Sequence, residues 1–213
     1  MTKLAVNNAT NEAVTVYLIF GVSGPVCPNP VGVGDFPILS PVQGSPLQGT
    51  FTLAAGATQE FNPNGRCFTG NVGFFILPQC PVAGADFHHG EQGTNIGEFT
   101  LNVTQGDEAF DISCVNGVNC WMNMSVTGSG WSDEVNNTSI NSIENKALQN
   151  NQGNPGVYPV NCTDCIQLVG DPPCPSLPIG PPQTERICNI QRAVQPGSDD
   201  TLTITLKEGT PPS

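Results

Sequence analysis

The chain has 213 residues, with 24 Gly, 20 Pro and only 7% aromatic residues, a composition that excludes a long helical or coiled-coil protein and favours a loop-rich globular one. Its 6 basic and 18 acidic residues give a formal charge of -12, so nothing is available to neutralise a nucleic-acid backbone or an anionic membrane. No run approaches the roughly 18 apolar residues of a membrane helix. We therefore expect neither nucleic acid nor membrane insertion.

Short β-rich runs, separated by Gly, Pro and Asn clusters, recur along the chain and predict an all-β sandwich or barrel. They lie at residues 4–6, 13–20, 50–53, 58–61, 72–77, 98–103, 108–115, 122–126, 187–190 and 201–206. Two Pro-rich segments, 24–46 and 171–182, are predicted to be surface loops, because proline removes a donor from the sheet ladder. Apolar spacing predicts one short helix of about three turns within residues 140–148.

The cysteines favour a disulfide framework in an oxidising compartment over a single metal cluster. The nine candidates are spread along the whole chain: Cys27, Cys67, Cys80, Cys114, Cys120, Cys162, Cys165, Cys174 and Cys188. The count is odd, so at least one thiol is free or pairs with another chain. Six glycosylation sequons are compatible with export and begin at Asn8, Asn102, Asn123, Asn136, Asn137 and Asn161. We expect a secreted protein whose signal peptide is absent from this sequence.

A zinc site is the alternative use of the late cysteines. Cys162 and Cys165 form a CxxC pair, and Cys174 and Cys188 are able to complete a tetrahedral site, although without the usual tight spacing in the second half. His88-His89 is a weak metal signal, because neighbours on an extended chain point to opposite sides. Neither a nucleotide loop nor a nucleophile with a histidine partner is recognisable, so no cofactor is expected.

A hairpin between residues 98 and 113 orients two carboxylates. If Gln105-Gly106 forms a two-residue turn, Leu101 faces Phe110 and Phe99 faces Ile112 on one side of the sheet. Glu98 and Asp111 then lie on the other side as diagonal neighbours, about 7 to 8 Å apart at the backbone. That separation permits the acid pair of a glycosidase, but in so acidic a protein two acids on a solvated sheet face are more often plain surface.

Several segments resemble the thaumatin-like family, which includes osmotin and the pathogenesis-related proteins. Residues 97–102, GEFTLN, and 110–119, FDISCVNGVN, are similar to that family's LAEFTLN and YDISLVDGFN segments. Residues 67–73, CFTGNVG, resemble its CxTGDCGG signature, and residues 6–8 and 14–17 resemble its opening strand pair. The likeness covers about residues 1–125. It implies a flattened β-sandwich core, a smaller disulfide-rich lobe and an acidic cleft associated with β-1,3-glucan binding.

The resemblance also implies site residues. Glu98 and Asp111 match two cleft acids, whereas the other two acids align with Asn71 and Asn116. Arg66 matches the cleft arginine loosely, and a late cleft acid corresponds to Asp199 or Asp200. Val72 stands in place of a signature cysteine and Cys114 in place of a leucine, so the family's disulfide pattern does not transfer intact.

Three functions remain open. We favour a carbohydrate-binding protein for β-glucan or a related cell-wall glycan, with an antifungal defence role. A weak endo-β-1,3-glucanase would use Glu98 as general acid and Asp111 as base or nucleophile, but loss of two neighbouring acids predicts slow hydrolysis at best. A structural or surface-interaction sandwich, with an intermolecular disulfide through the odd cysteine, is the third. The predicted organisation is a core of residues 1–126 with 187–213 and a loop-rich lobe of residues 127–186.

Overall fold

The computed structural model describes residues 1–75, 95–113, 120–127, 132–135, 164–168, 187–193 and 199–207. These parts of the chain form a 3-10 helix at Val33–Asp35 and thirteen strands. The strands are β1 Lys3–Ala9, β2 Val14–Phe20, β3 Ser40–Val42, β4 Ser45–Leu53, β5 Thr58–Phe61, β6 Phe68–Phe75, β7 Ile96–Leu101, β8 Asp107–Ser113, β9 Trp121–Val126, β10 Ser132–Val135, β11 Asp164–Leu168, β12 Ile187–Ala193 and β13 Thr201–Lys207. No helix in the described ranges is long and apolar enough to cross a membrane.

The strands form two sheets that pack face to face, so the predicted all-β sandwich is confirmed. The first sheet has the order β10-β9-β13-β1-β5, and the second has the order β11-β12-β8-β7-β6-β2-β4-β3. Neighbouring strands are antiparallel except for the parallel pairs β1 with β13 and β11 with β12. Gly97 on β7 marks the contact between sheets, since an added Cβ would lie 2.8 Å from Ile204 Cδ1 on β13.

Period-two alternation explains which face of each sheet is buried. In β2, Val16, Leu18 and Phe20 are buried, while Tyr17 and Ile19 between them are only partly covered. The inward side chains include a chain of contacting aromatic rings, with centroids 5.0 to 6.0 Å apart: Phe20, Phe36, Phe51, Phe61, Phe68 and Phe99. Rings at these separations pack in stacked or edge-to-face geometry and contribute beyond their buried area.

The Pro-rich segment 24–46 is not the surface loop that its composition predicts. Four of its apolar side chains join the core, namely Val31, Val33, Phe36 and Leu39. A disulfide between Cys27 and Cys67 fixes the segment beside β6. Its second half contributes β3, whose Pro41 is tolerated because β3 is an edge strand.

The β7–β8 hairpin has a register two residues different from the predicted one. Glu98 lies directly opposite Asp111, and Phe99 lies opposite Phe110. The loop is longer than two residues because the buried Glu108 closes it: Asn102 N donates to Glu108 Oε1 at 2.7 Å, and Thr2 Oγ1 donates to Oε2 at 3.0 Å. A shift of two positions keeps every side chain on its predicted face.

The late part of the chain contains two strands that the sequence patterns did not predict, β10 and β11. The predicted helix within 140–148 and the Pro-rich segment 171–182 lie outside the described residues. The division into a core and a lobe of residues 127–186 stays a prediction.

Candidate functional site

Three polar residues stand in one row across the middle of the eight-stranded sheet. Asn71 on β6 pairs with Glu98 on β7, and Glu98 pairs with Asp111 on β8. Directly opposed residues have Cβ atoms about 4.5 to 5.5 Å apart, so the row is tighter than the predicted diagonal arrangement. The prediction that Glu98 and Asp111 share the sheet face turned away from the core is confirmed.

This row lines a pocket of about 360 Å³ on the outer face of the sheet. Asp111 is buried, whereas Glu98 and Asn71 are partly covered. Beside the acids, the hydroxyls of Thr69 and Thr100 form a hydrogen bond of 3.0 Å and line the same pocket. The pocket therefore combines two carboxylates, one amide and two hydroxyls, which together both donate and accept hydrogen bonds.

The local sequence explains why these side chains face outward. On β6, Phe68 and Val72 are buried in the core and alternate with Thr69 and Asn71. Gly70 is required at the edge of the pocket, because an added Cβ would lie 2.1 Å from the carbonyl oxygen of Ile19. The missing side chain lets β2 and β6 approach closely beneath the site.

The electrostatic character of the pocket follows from its lining. Glu98 and Asp111 are its charged groups, and none of the described lining residues is basic. Asn71 holds a neutral amide where the family resemblance would place an acid. In the described lining of the pocket, Glu98 and Asp111 are therefore direct neighbours, and the residue beside Glu98 on β6, Asn71, is uncharged.

Arg66 lies outside this pocket, in the loop between β5 and β6. Its Nη1 donates to Asp35 Oδ1 at 2.6 Å and its Nη2 donates to the Pro30 carbonyl oxygen at 2.8 Å. The backbone N–H of Gly32 and the Arg66 guanidinium lower the pKa of Asp35. In the structure Arg66 anchors the Pro-rich segment.

The other predicted site residues are also apart from the row. Asp200 precedes β13 in the five-stranded sheet, where its carbonyl oxygen accepts from Lys3 N at 2.9 Å. Asn116 lies outside the described residues. The structure thus brings together Asn71, Glu98 and Asp111, and it does not place Arg66 or Asp200 in their pocket.

Sequence patterns missed Thr69 and Thr100 as site residues. The signal that finds them is the period-two alternation that already places Asn71 and Glu98 outward, because Thr69 and Thr100 are two positions away on the same strands.

Three cysteines have described side chains, and they form one bridge and one buried thiol. Cys27 and Cys67 form a disulfide. Cys120 is free, and its Sγ donates to Asn95 Oδ1 at 3.4 Å. Burial raises the pKa of the Cys120 thiol to about 12. In this structure Cys120 is therefore a buried free thiol and not part of a disulfide.

For Cys165 and Cys188, two of the four cysteines of the zinc alternative, the structure describes only the backbone. Cys165 on β11 lies opposite Cys188 on β12. The other four, Cys80, Cys114, Cys162 and Cys174, lie outside the described residues, as does the His88-His89 pair. Within the described part of the chain, no cluster of three or more His, Cys, Asp or Glu residues is arranged to hold a metal ion.

Two of the glycosylation sequons begin at asparagines whose side chains are engaged in the fold. Asn8 is fully buried, and its Nδ2 donates to the carbonyl oxygens of Glu12, Leu53 and Ala54. Asn102 Nδ2 donates to the Thr2 carbonyl oxygen at 2.8 Å. A glycan on either nitrogen is incompatible with these contacts.

Comparison with known proteins gives a distant structural likeness. No protein-family model and no curated protein matches the chain. Among solved structures, a thaumatin-like xylanase inhibitor is similar at a TM-score of 0.43 and 12% sequence identity, over 95% of this chain and 97% of that chain. So low a score supports no functional conclusion, and the proposal below depends on the residues of the pocket.

Proposed function

We propose that this protein is a secreted, thaumatin-like carbohydrate-binding protein that binds a β-glucan or a related cell-wall glycan, with a role in defence against fungi. The observation that carries the proposal is the row Asn71, Glu98 and Asp111 with the Thr69–Thr100 hydroxyl pair beside it. The sequence segments that resemble the thaumatin-like family include all three residues of this row. The family assignment itself is part of the proposal.

The chemistry of the pocket suits a neutral polyol. Each sugar hydroxyl both donates and accepts hydrogen bonds, so a site with acceptors close to donors suits it. Glu98 and Asp111 supply the acceptors. Asn71 supplies an amide donor, and the Thr69–Thr100 pair supplies one hydroxyl proton, because the other is used in the bond between the two threonines. Two adjacent carboxylates repel an anionic ligand, whereas a neutral glycan experiences no such repulsion.

A glycan array followed by titration calorimetry tests this function. We expect binding to β-1,3-linked glucan, a loss of about tenfold or less in Glu98→Gln, and a comparable loss in Asn71→Ala. Glu60→Gln is the matched control, since Glu60 is an exposed acid on β5 of the other sheet. Absence of binding by the wild type to any glycan on the array would refute the proposal.

A second candidate is a weak endo-β-1,3-glucanase. The observation that favours it is the direct pairing of Glu98 with Asp111, which places their Cβ atoms about 4.5 to 5.5 Å apart. Two adjacent acids are what a retaining glycosidase uses, with carboxyl groups about 5 to 5.5 Å apart. One of the two would have to keep its proton near neutral pH to act as general acid. Reducing-sugar release from laminarin separates the two functions: release that disappears in Glu98→Gln would place the hydrolase first, and binding without release supports the first proposal.

A further inference from the structure

An exposed phenylalanine and a partly covered tyrosine lie on the same sheet face as the pocket. Phe75, the last residue of β6, is 46% exposed. Its ring centroid lies 5.9 Å from that of the partly covered Tyr17 on β2, with the ring planes at 45°. Gly73 pairs with Tyr17 and projects no side chain between the rings and the rest of β6. The two rings therefore form a single apolar platform in a largely polar face.

The platform is continuous with the pocket. Tyr17 precedes Ile19 by two positions on β2, and Gly73 follows Asn71 by two positions on β6, while Ile19 and Asn71 both line the pocket. Two residues of a strand span about 7 Å, so the edge of the platform begins one side chain away from the pocket. A linear ligand that occupies the pocket and extends along β6 must pass over these rings.

The surroundings of the platform carry no charge across three neighbouring strands. The outward positions of β4, β2 and β6 in this region are Gln48, Thr50, Thr52, Thr15, Tyr17, Ile19, Asn71, Gly73 and Phe75. All are uncharged in a chain whose formal net charge is -12. A ligand on this surface gains nothing from charge, so a neutral polar chain fits it better than an acidic or basic peptide.

We propose that Tyr17 and Phe75 form a second subsite that stacks against the apolar face of a pyranose ring, while the Asn71–Glu98–Asp111 pocket binds the hydroxyls of a sugar several units away in the same glycan chain. The inference rests on the proposed glycan-binding function and deepens it. An aromatic ring has a negative face, and the axial C–H bonds of a β-glucose unit present a slightly positive, apolar surface to it. Equatorial hydroxyls leave that surface uninterrupted, so the two subsites together select a β-linked glucan over a glycan with axial hydroxyls.

The test compares short and long ligands against single variants of the folded protein. Calorimetric titration uses a β-1,3-linked glucose disaccharide and the corresponding hexasaccharide. We expect Phe75→Ala to weaken hexasaccharide binding about three- to tenfold and to leave disaccharide binding nearly unchanged, because only the longer ligand reaches the platform. Phe75→Tyr should retain wild-type affinity for both ligands, since the ring remains.

The control is Ile38→Ala, which shortens a side chain of similar exposure, 44%, in the segment before β3. A thermal melt confirms that each variant is folded. If the wild type and Phe75→Ala bind the hexasaccharide equally while Glu98→Gln weakens it, the subsite is refuted and the proposed function stands. If the wild type binds neither ligand, the proposed function fails and the subsite with it.

Discussion

Replacing Asn71 by aspartate tests the geometry of the row directly. The substitution changes one amide to a carboxylate of the same shape and places it opposite Glu98, which already faces Asp111. At a separation of about 5 Å and an effective dielectric constant of about 20, the new pair repels by about 3 kcal/mol. Screening over a Debye length of about 8 Å in 0.15 M salt, together with partial exposure, reduces this to about 1 to 2 kcal/mol.

Thermal unfolding at several salt concentrations and pH values measures this repulsion. For a chain of 213 residues, we expect Asn71→Asp to lower Tm by about 3 to 6 °C at neutral pH. The difference should shrink in 1 M salt. It should also disappear below about pH 4, where carboxylates take up protons and the repulsion is lost.

Gln48→Glu is the matched control for Asn71→Asp. Gln48 lies in the same row on β4, opposite Ile19, and also changes from amide to carboxylate. Three strand spacings, about 14 Å, separate it from Glu98, so its charge is screened. If both variants destabilise equally, or if the effect of Asn71→Asp is independent of salt and pH, then Asn71 does not neighbour the acids. A measurable rise in glucan hydrolysis when Asn71→Asp is combined with Asn116→Asp would further indicate that the two amides suppress catalysis.

Three further predictions concern stability. Removing the Cys27–Cys67 bridge, as the double serine variant, should lower the free energy of unfolding by about 4 kcal/mol in urea titration, because the bridge closes a 40-residue separation; a loss below 1 kcal/mol would contradict this. Cys120 should resist alkylation in the native protein at pH 8. The free energy of unfolding should fall by about 4 kcal/mol between pH 9 and 12, because the thiol ionises there in the unfolded chain but not in the folded one, where its pKa is raised to about 12. Cys120→Ala should flatten that part of the pH profile. Asn8→Ala should cost about 2 to 4 kcal/mol, because three carbonyl oxygens lose a donor, whereas Asn7→Ala, a partly exposed neighbour, should cost under 1.

Local sequence patterns predicted the strands in which apolar and polar residues alternate strongly. They failed where a contact with a distant part of the chain determines the local structure. β2 and β13 alternate apolar and polar residues throughout, and both were predicted within a residue of their ends. β10, with the sequence SDEV, has little strand propensity and forms because it pairs with the edge of β9. The Pro-rich segment joins the core because the Cys27–Cys67 disulfide and Arg66 hold it there, and both Cys67 and Arg66 lie outside the segment.

The sequence predicted which sheet face carries the candidate site, but not how its two acids are positioned relative to each other. Period-two alternation is a local property, so Glu98 and Asp111 were assigned to the same face correctly. Their direct opposition depends on the length of the hairpin loop, which Glu108 sets through Thr2, 106 positions away in sequence. The turn signal at Gln105-Gly106 contains no information about such a contact. The positive φ of Gly106, 79°, shows that a turn does occur there.

The same contact bears on function, because it is tied to the register that places Glu98 opposite Asp111. A hairpin with the predicted two-residue turn would place Glu98 diagonally from Asp111, at a separation that leaves room for a water molecule between the acids. The longer loop closed by Glu108 sets them directly opposite, which suits either a retaining acid pair or a close pair of acceptors for sugar hydroxyls. Since Asn71 rather than a third acid completes the row, its amide donates hydrogen bonds without adding repulsion. That arrangement favours holding a glycan over cleaving it.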